Sequence, residues 1–222
     1  LFVPIVGERV DAHRFLCQAI ASGAAVVFTS KHHCGEDVKA CVRQQCGENR
    51  EQERKALQAA WIEVSDTKKA LQDLGSFCRK RLRLPLVGIT GSVGKTTTRE
   101  MIAEALSAGF KVYKTPGNSN SQVGVPITIA EIPQSAEIGV IELGMSEPGE
   151  MERIARVARV DCAVMTNIGI AHIEQLGSQE CILEEKLHIQ EGMPPEGILF
   201  LNGDDPLLAS VVPKEGRKKV LY

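Results

Sequence analysis

No apolar run in this 222-residue chain approaches the ~20 residues that a membrane-crossing helix requires, so an integral helical membrane protein is excluded first. Charge of one sign is missing too. Lysine and arginine number 26 against 28 aspartates and glutamates, giving a formal net charge of -2 and a pI of about 6.3. With so weak a field the chain is not made for nucleic acid or a membrane surface, and any anionic ligand has to be held locally. No signal-like stretch opens the sequence, no C-x2-C knuckle occurs, and the seven cysteines are an odd number scattered along it. Reduced thiols in a cytoplasmic protein are therefore expected. His32, His33, Cys34, Cys41 and Cys46 crowd one polar stretch at spacings that suit a surface loop better than a metal site.

What is present is the composition of a globular protein, 43% hydrophobic and 24% charged, long enough for one large or two modest domains. The chain is organised around Leu84 to Arg99, LPLVGITGSVGKTTTR. An apolar run, Leu84 to Ile89, reads as a buried strand. Gly91, Ser92, Val93, Gly94, Lys95, Thr96 and Thr97 follow and open a helical pattern that reaches about Ser107. Strand, glycine turn and helix in that order cradle phosphate, because backbone N–H groups and the positive helix end point at one place. Lys95 is placed to reach the β/γ-phosphates and the Thr96 hydroxyl to hold Mg²⁺. The strict G-x4-G-K-[ST] pattern is absent: Ile89 stands where its first glycine belongs, and Gly88 comes one residue early.

Before this loop, Leu1 to Ile5 reads as a strand, Asp11 to Ser22 as a helix capped by Asp11, and Ala24 to Phe28 as a second strand. Residues 31–59 form a polar insert with a helix expected from Glu48 to Ala60. Trp61 to Val64 is a short strand, and Thr67 to Arg81 a helix whose basic end suits its negative terminus. A domain boundary is expected at Arg83 to Pro85. After the loop, strands (111–115, 138–142, 161–166, 197–201, 218–221) alternate with helices (124–132, 148–159, 178–191, 204–211). Alternation of this kind predicts an α/β fold with a mainly parallel sheet covered on both faces and ligands at the carboxyl ends of the strands.

Polar residues stand at three of those ends. Glu142 closes one strand and is suited to Mg²⁺, directly or through water; Asn167 and Asn202 close two others. Asn202 can equally form a turn with Gly203 and Asp204. His172, in a loop, is either structural or a ligand. Lys186, in mid-helix, faces solvent or serves the site.

Taken together, Gly91 to Thr97, Gly117 to Pro126, Ile141 to Met145, Thr166 to His172, Leu176 to Ser178 and Glu185-Lys186 resemble the motifs of the Mur ligases, the ATP-dependent amide-forming enzymes of peptidoglycan precursor synthesis. Leu1 to Pro4, Gly7 to Arg9 and Asp11 to Phe15 point within that family to the member acting on UDP-N-acetylmuramoyl-tripeptide and D-alanyl-D-alanine. The resemblance implies a partial N-terminal domain, 1–84, that binds the UDP-muramoyl-peptide, and a partial P-loop ATPase domain, 85–222, with a C-terminal ligase domain absent. It implies ATP and Mg²⁺ as cofactors and an acyl-phosphate mechanism. Lys95, Glu142, Asn167, His172 and Lys186 are then catalytic; Thr96 and Glu142 serve one Mg²⁺, His172 a second, and Lys186 is the lysine carbamylated in the family, its carbamate an oxygen ligand for Mg²⁺. A cytoplasmic monomer without nucleic-acid partners is expected, and little turnover from these residues alone. Another Mur-type or folate-glutamate ligase, or a nucleotide-binding module without turnover, are the alternatives. A guanine switch is disfavoured, since Asn167 is followed by Ile168 and Gly169 rather than by Lys-x-Asp.

Overall fold

The computed structural model describes residues 1–7, 9–30, 43 and 50–222. The His32 to Cys46 group lies outside them. The chain forms two compact units, Leu1–Leu71 and Gln72–Tyr222.

In the first unit a 3-10 turn, Ala12–Phe15, leads into α1 (Leu16–Ala21), and the Asp11 side chain caps the turn by accepting from the His13 N–H. Strand β1 (Val26–Ser30) follows. Helix α2 (Arg50–Gln58) then leads to β2 (Ala60–Val64), which pairs in parallel with β1. Leu16, Cys17, Ile20, Val27 and Ala59 form the core of this unit. The strand expected at Leu1 to Ile5 is not formed; Phe2 makes one isolated parallel bridge to Val27, and Val6 bridges Asp11. Pro4 explains the interruption, since it has no N–H to give to a ladder.

Helix α3 (Thr67–Arg81) has the bounds expected from the sequence, but the division between the units falls inside it. Its C-terminal half belongs to the second unit for steric and polar reasons. A Cβ on Gly75 would stand 2.8 Å from Pro126 Cα, so only glycine permits that approach. Arg79 donates to the carbonyls of Ala158 and Arg159, each at 2.9 Å, and pairs with Asp161 at 2.9 Å.

The second unit contains β3 (Leu86–Thr90), α4 (Lys95–Ser107), β4 (Val112–Lys114), α5 (Gly124–Ala130), β5 (Ile138–Glu142), α6 (Glu150–Ala158), β6 (Cys162–Met165), α7 (Ile173–Leu176), α8 (Gln179–Leu187), β7 (Ile198–Leu201), α9 (Pro206–Ala209) and β8 (Lys218–Leu221). The strand order is β4-β5-β3-β6-β7-β8, every pair parallel. Period-2 alternation sends side chains to two cores. Leu86, Ile141, Ala163, Met165, Leu199 and Leu201 pack with α5, α6 and α8, whereas Val87, Ile89, Val140 and Val164 pack with Ala103 of α4. Burial on both faces is what lets β3 be apolar from Leu86 to Ile89. The chain visits one side of β3 and then the other, so its carboxyl end is the switch point where ligands bind such sheets.

Several ends differ from expectation. Helix α6 starts at Glu150 behind Gly149, not at Pro148. Helix α8 ends at Leu187 and continues only as a 3-10 turn, and α9 is cut to four residues between Asp205 and Ser210. The short α7 was not expected. No described helix is long and apolar enough to cross a membrane, and among the described residues Cys17, Cys78, Cys162 and Cys181 are free thiols.

Candidate nucleotide and metal site

Gly91 and Gly94 turn the chain from β3 into α4 at φ 147° and 83°, in the region that favours glycine. At Gly91 a Cβ would also lie 1.9 Å from Thr166 Oγ1. Gly94 is the N-cap, and no side chain caps α4, which leaves its first N–H groups available to an anion. Lys95 begins the helix, and its ammonium donates to Gly91 O at 2.8 Å and Ser92 O at 3.4 Å. Desolvation lowers the Lys95 pKa, and the charge of Glu142 partly restores it.

The loop is clamped from the end of β6. The Asn167 side-chain oxygen accepts from Val93 N–H at 2.9 Å, its backbone carbonyl accepts from Ser92 N–H at 3.0 Å, and Thr166 Oγ1 donates to Val93 O at 2.6 Å. Asn167 therefore meets the loop itself. Asn202 forms the turn: its oxygen accepts from Asp204 N–H and its amide donates to Thr166 O, both at 3.0 Å.

Glu142 is 2% exposed, at the carboxyl end of β5. Thr96 donates to its Oε2 at 3.0 Å and Arg99 pairs with the same oxygen at 3.4 Å, while Asn120 donates to Oε1 at 2.7 Å. The Glu142 N–H donates to Thr115 Oγ1 at 2.9 Å. Sequence reasoning assigned no role to Arg99, Asn120 or Thr115. Arg99 shows no local signal, whereas Asn120 lies in the polar run Gly117 to Gln122 that the family resemblance had already marked.

Lys186 is buried, 2% exposed, which excludes the solvent-facing alternative. Its pKa is lowered to about 8, chiefly by desolvation, then by the like charge of Lys95, with Glu185 opposing. Glu185 was also given no role. It caps α6 from another helix, accepting from Gly149 N–H and Met151 N–H, each at 2.9 Å. A carboxylate there satisfies two orphan donors and complements the helix dipole. Replacing Glu185 with alanine is expected to lower stability by about 2 kcal/mol, read as a reduced urea midpoint at unchanged slope.

His172 is exposed and left-handed, φ 66°, at the N-cap of α7. No hydrogen bond or ion pair joins it to Thr96, Glu142 or Lys186, whereas Thr96 and Glu142 meet directly. Among the described residues no three His, Cys, Asp or Glu side chains form a ready metal cage. Mg²⁺ does not need one, because it takes one or two side chains and fills its octahedron with phosphate and water. Thr96 Oγ1 and Glu142 Oε2 lie 3.0 Å apart. Adjacent ligands at the vertices of such an octahedron are separated by roughly 2.9 Å, so the pair fits.

Residues 89–222 match the family model of the Mur ligase middle domain. The chain is similar to the UDP-N-acetylmuramoyl-tripeptide--D-alanyl-D-alanine ligase of Bacillus subtilis (strain 168), with 40% identity over 94% of this chain and 41% of that protein. The enzyme of the same name from Escherichia coli (strain K12) is 32% identical over 92% of this chain and 40% of its own length. The fold superposes on MurF from Acinetobacter baumannii with a TM-score of 0.81 at 27% identity, covering 100% of this chain and 44% of that one. MurF ligase from Thermotoga maritima, solved in complex with ADP, gives 0.79 at 29% identity, over 98% and 46%. The chain thus spans less than half the length of these relatives. A glycine loop at the switch point of a parallel sheet, a buried acid hydrogen-bonded to that loop's threonine, and a family match over residues 89–222 lead to one conclusion: the chain belongs to the Mur ligase family.

Proposed function

We propose that the protein is an ATP-dependent ligase of peptidoglycan precursor synthesis that adds D-alanyl-D-alanine to UDP-N-acetylmuramoyl-tripeptide. Residues 1–84 take part in holding the UDP-muramoyl-peptide, residues 85–222 bind ATP, and the protein works as a cytoplasmic monomer. The observation that carries the reading is the contact of Glu142 with Thr96 at the foot of the uncapped helix that Lys95 begins.

The N–H groups opening α4 and the Lys95 ammonium hold the phosphates and neutralise charge as it shifts toward the leaving ADP. A substrate carboxylate oxygen bonds to the γ-phosphorus, and the bond from that phosphorus to ADP breaks. The amine of D-alanyl-D-alanine then bonds to the acyl carbon, loses a proton, and expels phosphate. Mg²⁺, when bound, would supply positive charge beside the phosphates; Thr96 and Glu142 would hold it, and His172 would be the candidate ligand of a second ion. Asn167 keeps the loop in shape through Val93.

Lys186 is suited to carbamylation, because a pKa of about 8 leaves part of the amine neutral near pH 7.5. The neutral nitrogen bonds to the carbon of CO₂ and one proton passes to solvent. A buried cation becomes an anion beside Lys95, and repulsion becomes attraction.

The test is phosphate release by the full-length protein with a panel of acceptor amines, together with reductive trapping of the acyl phosphate in their absence. Trapped intermediate and release that depends on D-alanyl-D-alanine are expected. Release with a different amine would move the protein to another ligase of the family, and ADP binding with no trapped intermediate would reduce it to a nucleotide-binding module.

A further inference from the structure

The geometry points to Asp205 as a positioning residue for nucleotide binding, acting through the loop that follows β6. The inference rests on the reading of Gly91 to Thr97 as the phosphate-binding loop. Asp205 is the N-cap of α9, and one of its oxygens, Oδ1, accepts from the N–H groups of Leu207 at 3.0 Å and Leu208 at 3.2 Å. That oxygen alone completes the cap. The other, Oδ2, turns away from the helix and accepts from Ile168 N–H at 2.7 Å.

Ile168 is buried, and its amide lies between the two residues that hold the phosphate loop. Asn167 before it binds Ser92 and Val93, and Gly169 after it donates its N–H to Ser92 Oγ at 2.9 Å. Asp205 thus fixes the middle of a three-residue clamp whose outer two members grip the loop. Asn202, three residues earlier, ties Thr166 O into the same arrangement. A carboxylate is required because helix and clamp each need an acceptor and both draw on one side chain.

Replacement by asparagine or serine separates the two duties. Both residues cap helices well. In Asp205→Asn the amide group faces Ile168 N–H donor to donor; in Asp205→Ser the side chain is too short to reach it. In the full-length protein each variant is expected to bind ADP ~10-fold more weakly by titration calorimetry, since small misplacements of a binding loop have large effects. Melting temperature should stay within a few degrees of the parent, and amide exchange over residues 91–94 and 167–169 should rise together.

ADP affinities within about twofold of the parent in both variants, at unchanged melting temperature, would leave Asp205 a helix cap and overturn the inference. Loss of fold in both would overturn it as well, by making the residue one of stability; if one alone unfolds, the other decides. Lys95→Ala serves as the reference. Weakened ADP binding there with none in the Asp205 variants refutes this inference alone, whereas undiminished binding in Lys95→Ala refutes the phosphate-loop reading and the inference with it.

Discussion

Replacing Lys95 with alanine in the full-length protein is expected to lower ligase turnover by ~10²–10³-fold, the usual effect of deleting one preorganised donor at a developing charge. The ammonium is held at the mouth of the loop by Gly91 and Ser92, so it reaches bound phosphate without having to be ordered first. Burial around Lys95 depresses its pKa, and the carboxylate of Glu142 counters that effect and favours the charged form. Glu142 therefore supports the charge on Lys95. Phosphate release under saturating ATP is the measurement, with ADP affinity taken in parallel. Turnover within about tenfold of the parent would remove Lys95 from the chemistry.

Lys186 gives the second large effect, and it has two signs. Its folded pKa of about 8 lies below the 10.5 of the free side chain. Below about pH 8 the folded protein bears the whole cost of a buried ammonium, and between about pH 8 and 10.5 the cost fades as the folded amine gives up its proton before the unfolded one. That difference amounts to roughly 3 kcal/mol. Lys186→Met is expected to raise stability by about 2–3 kcal/mol at pH 7 in CO₂-free buffer, to gain little near pH 10.5, and to lose ligase turnover. Urea unfolding at the two pH values checks the first part. A variant less stable than the parent at pH 7 would show that Lys186 is held by favourable contacts and not kept for function.

The loop from Gly91 to Thr97 was legible because each of its signals is local: an apolar strand, two glycines and a helix start lie within sixteen residues, Leu84 to Arg99. Glu142 was legible as the polar end of an apolar strand. The burial of Lys186 was not, since QECILEEKL carries no single apolar stripe and its surroundings come from α6 and the sheet. Arg99, Asn120, Glu185 and Asp205 were missed for a related reason. Each meets its partner across 22 to 43 residues, and charge alone does not say where a side chain will be held. That the division between the compact units falls inside α3 was likewise not legible, since only packing joins Gly75 to Pro126 and Arg79 to Asp161.

Taken alone, the sequence determined the alternation of strand and helix, the glycine turn from β3 into α4 and the family it resembles, because periodicity and glycine spacing act over a few residues of chain. Only the tertiary structure decided which acid faces Thr96, which lysine loses its water, and which carboxylates steady the loops around them. The reason is that solvation and hydrogen-bond geometry are properties of the space between elements, and that space exists only after the sheet has brought β5, β3 and β6 side by side.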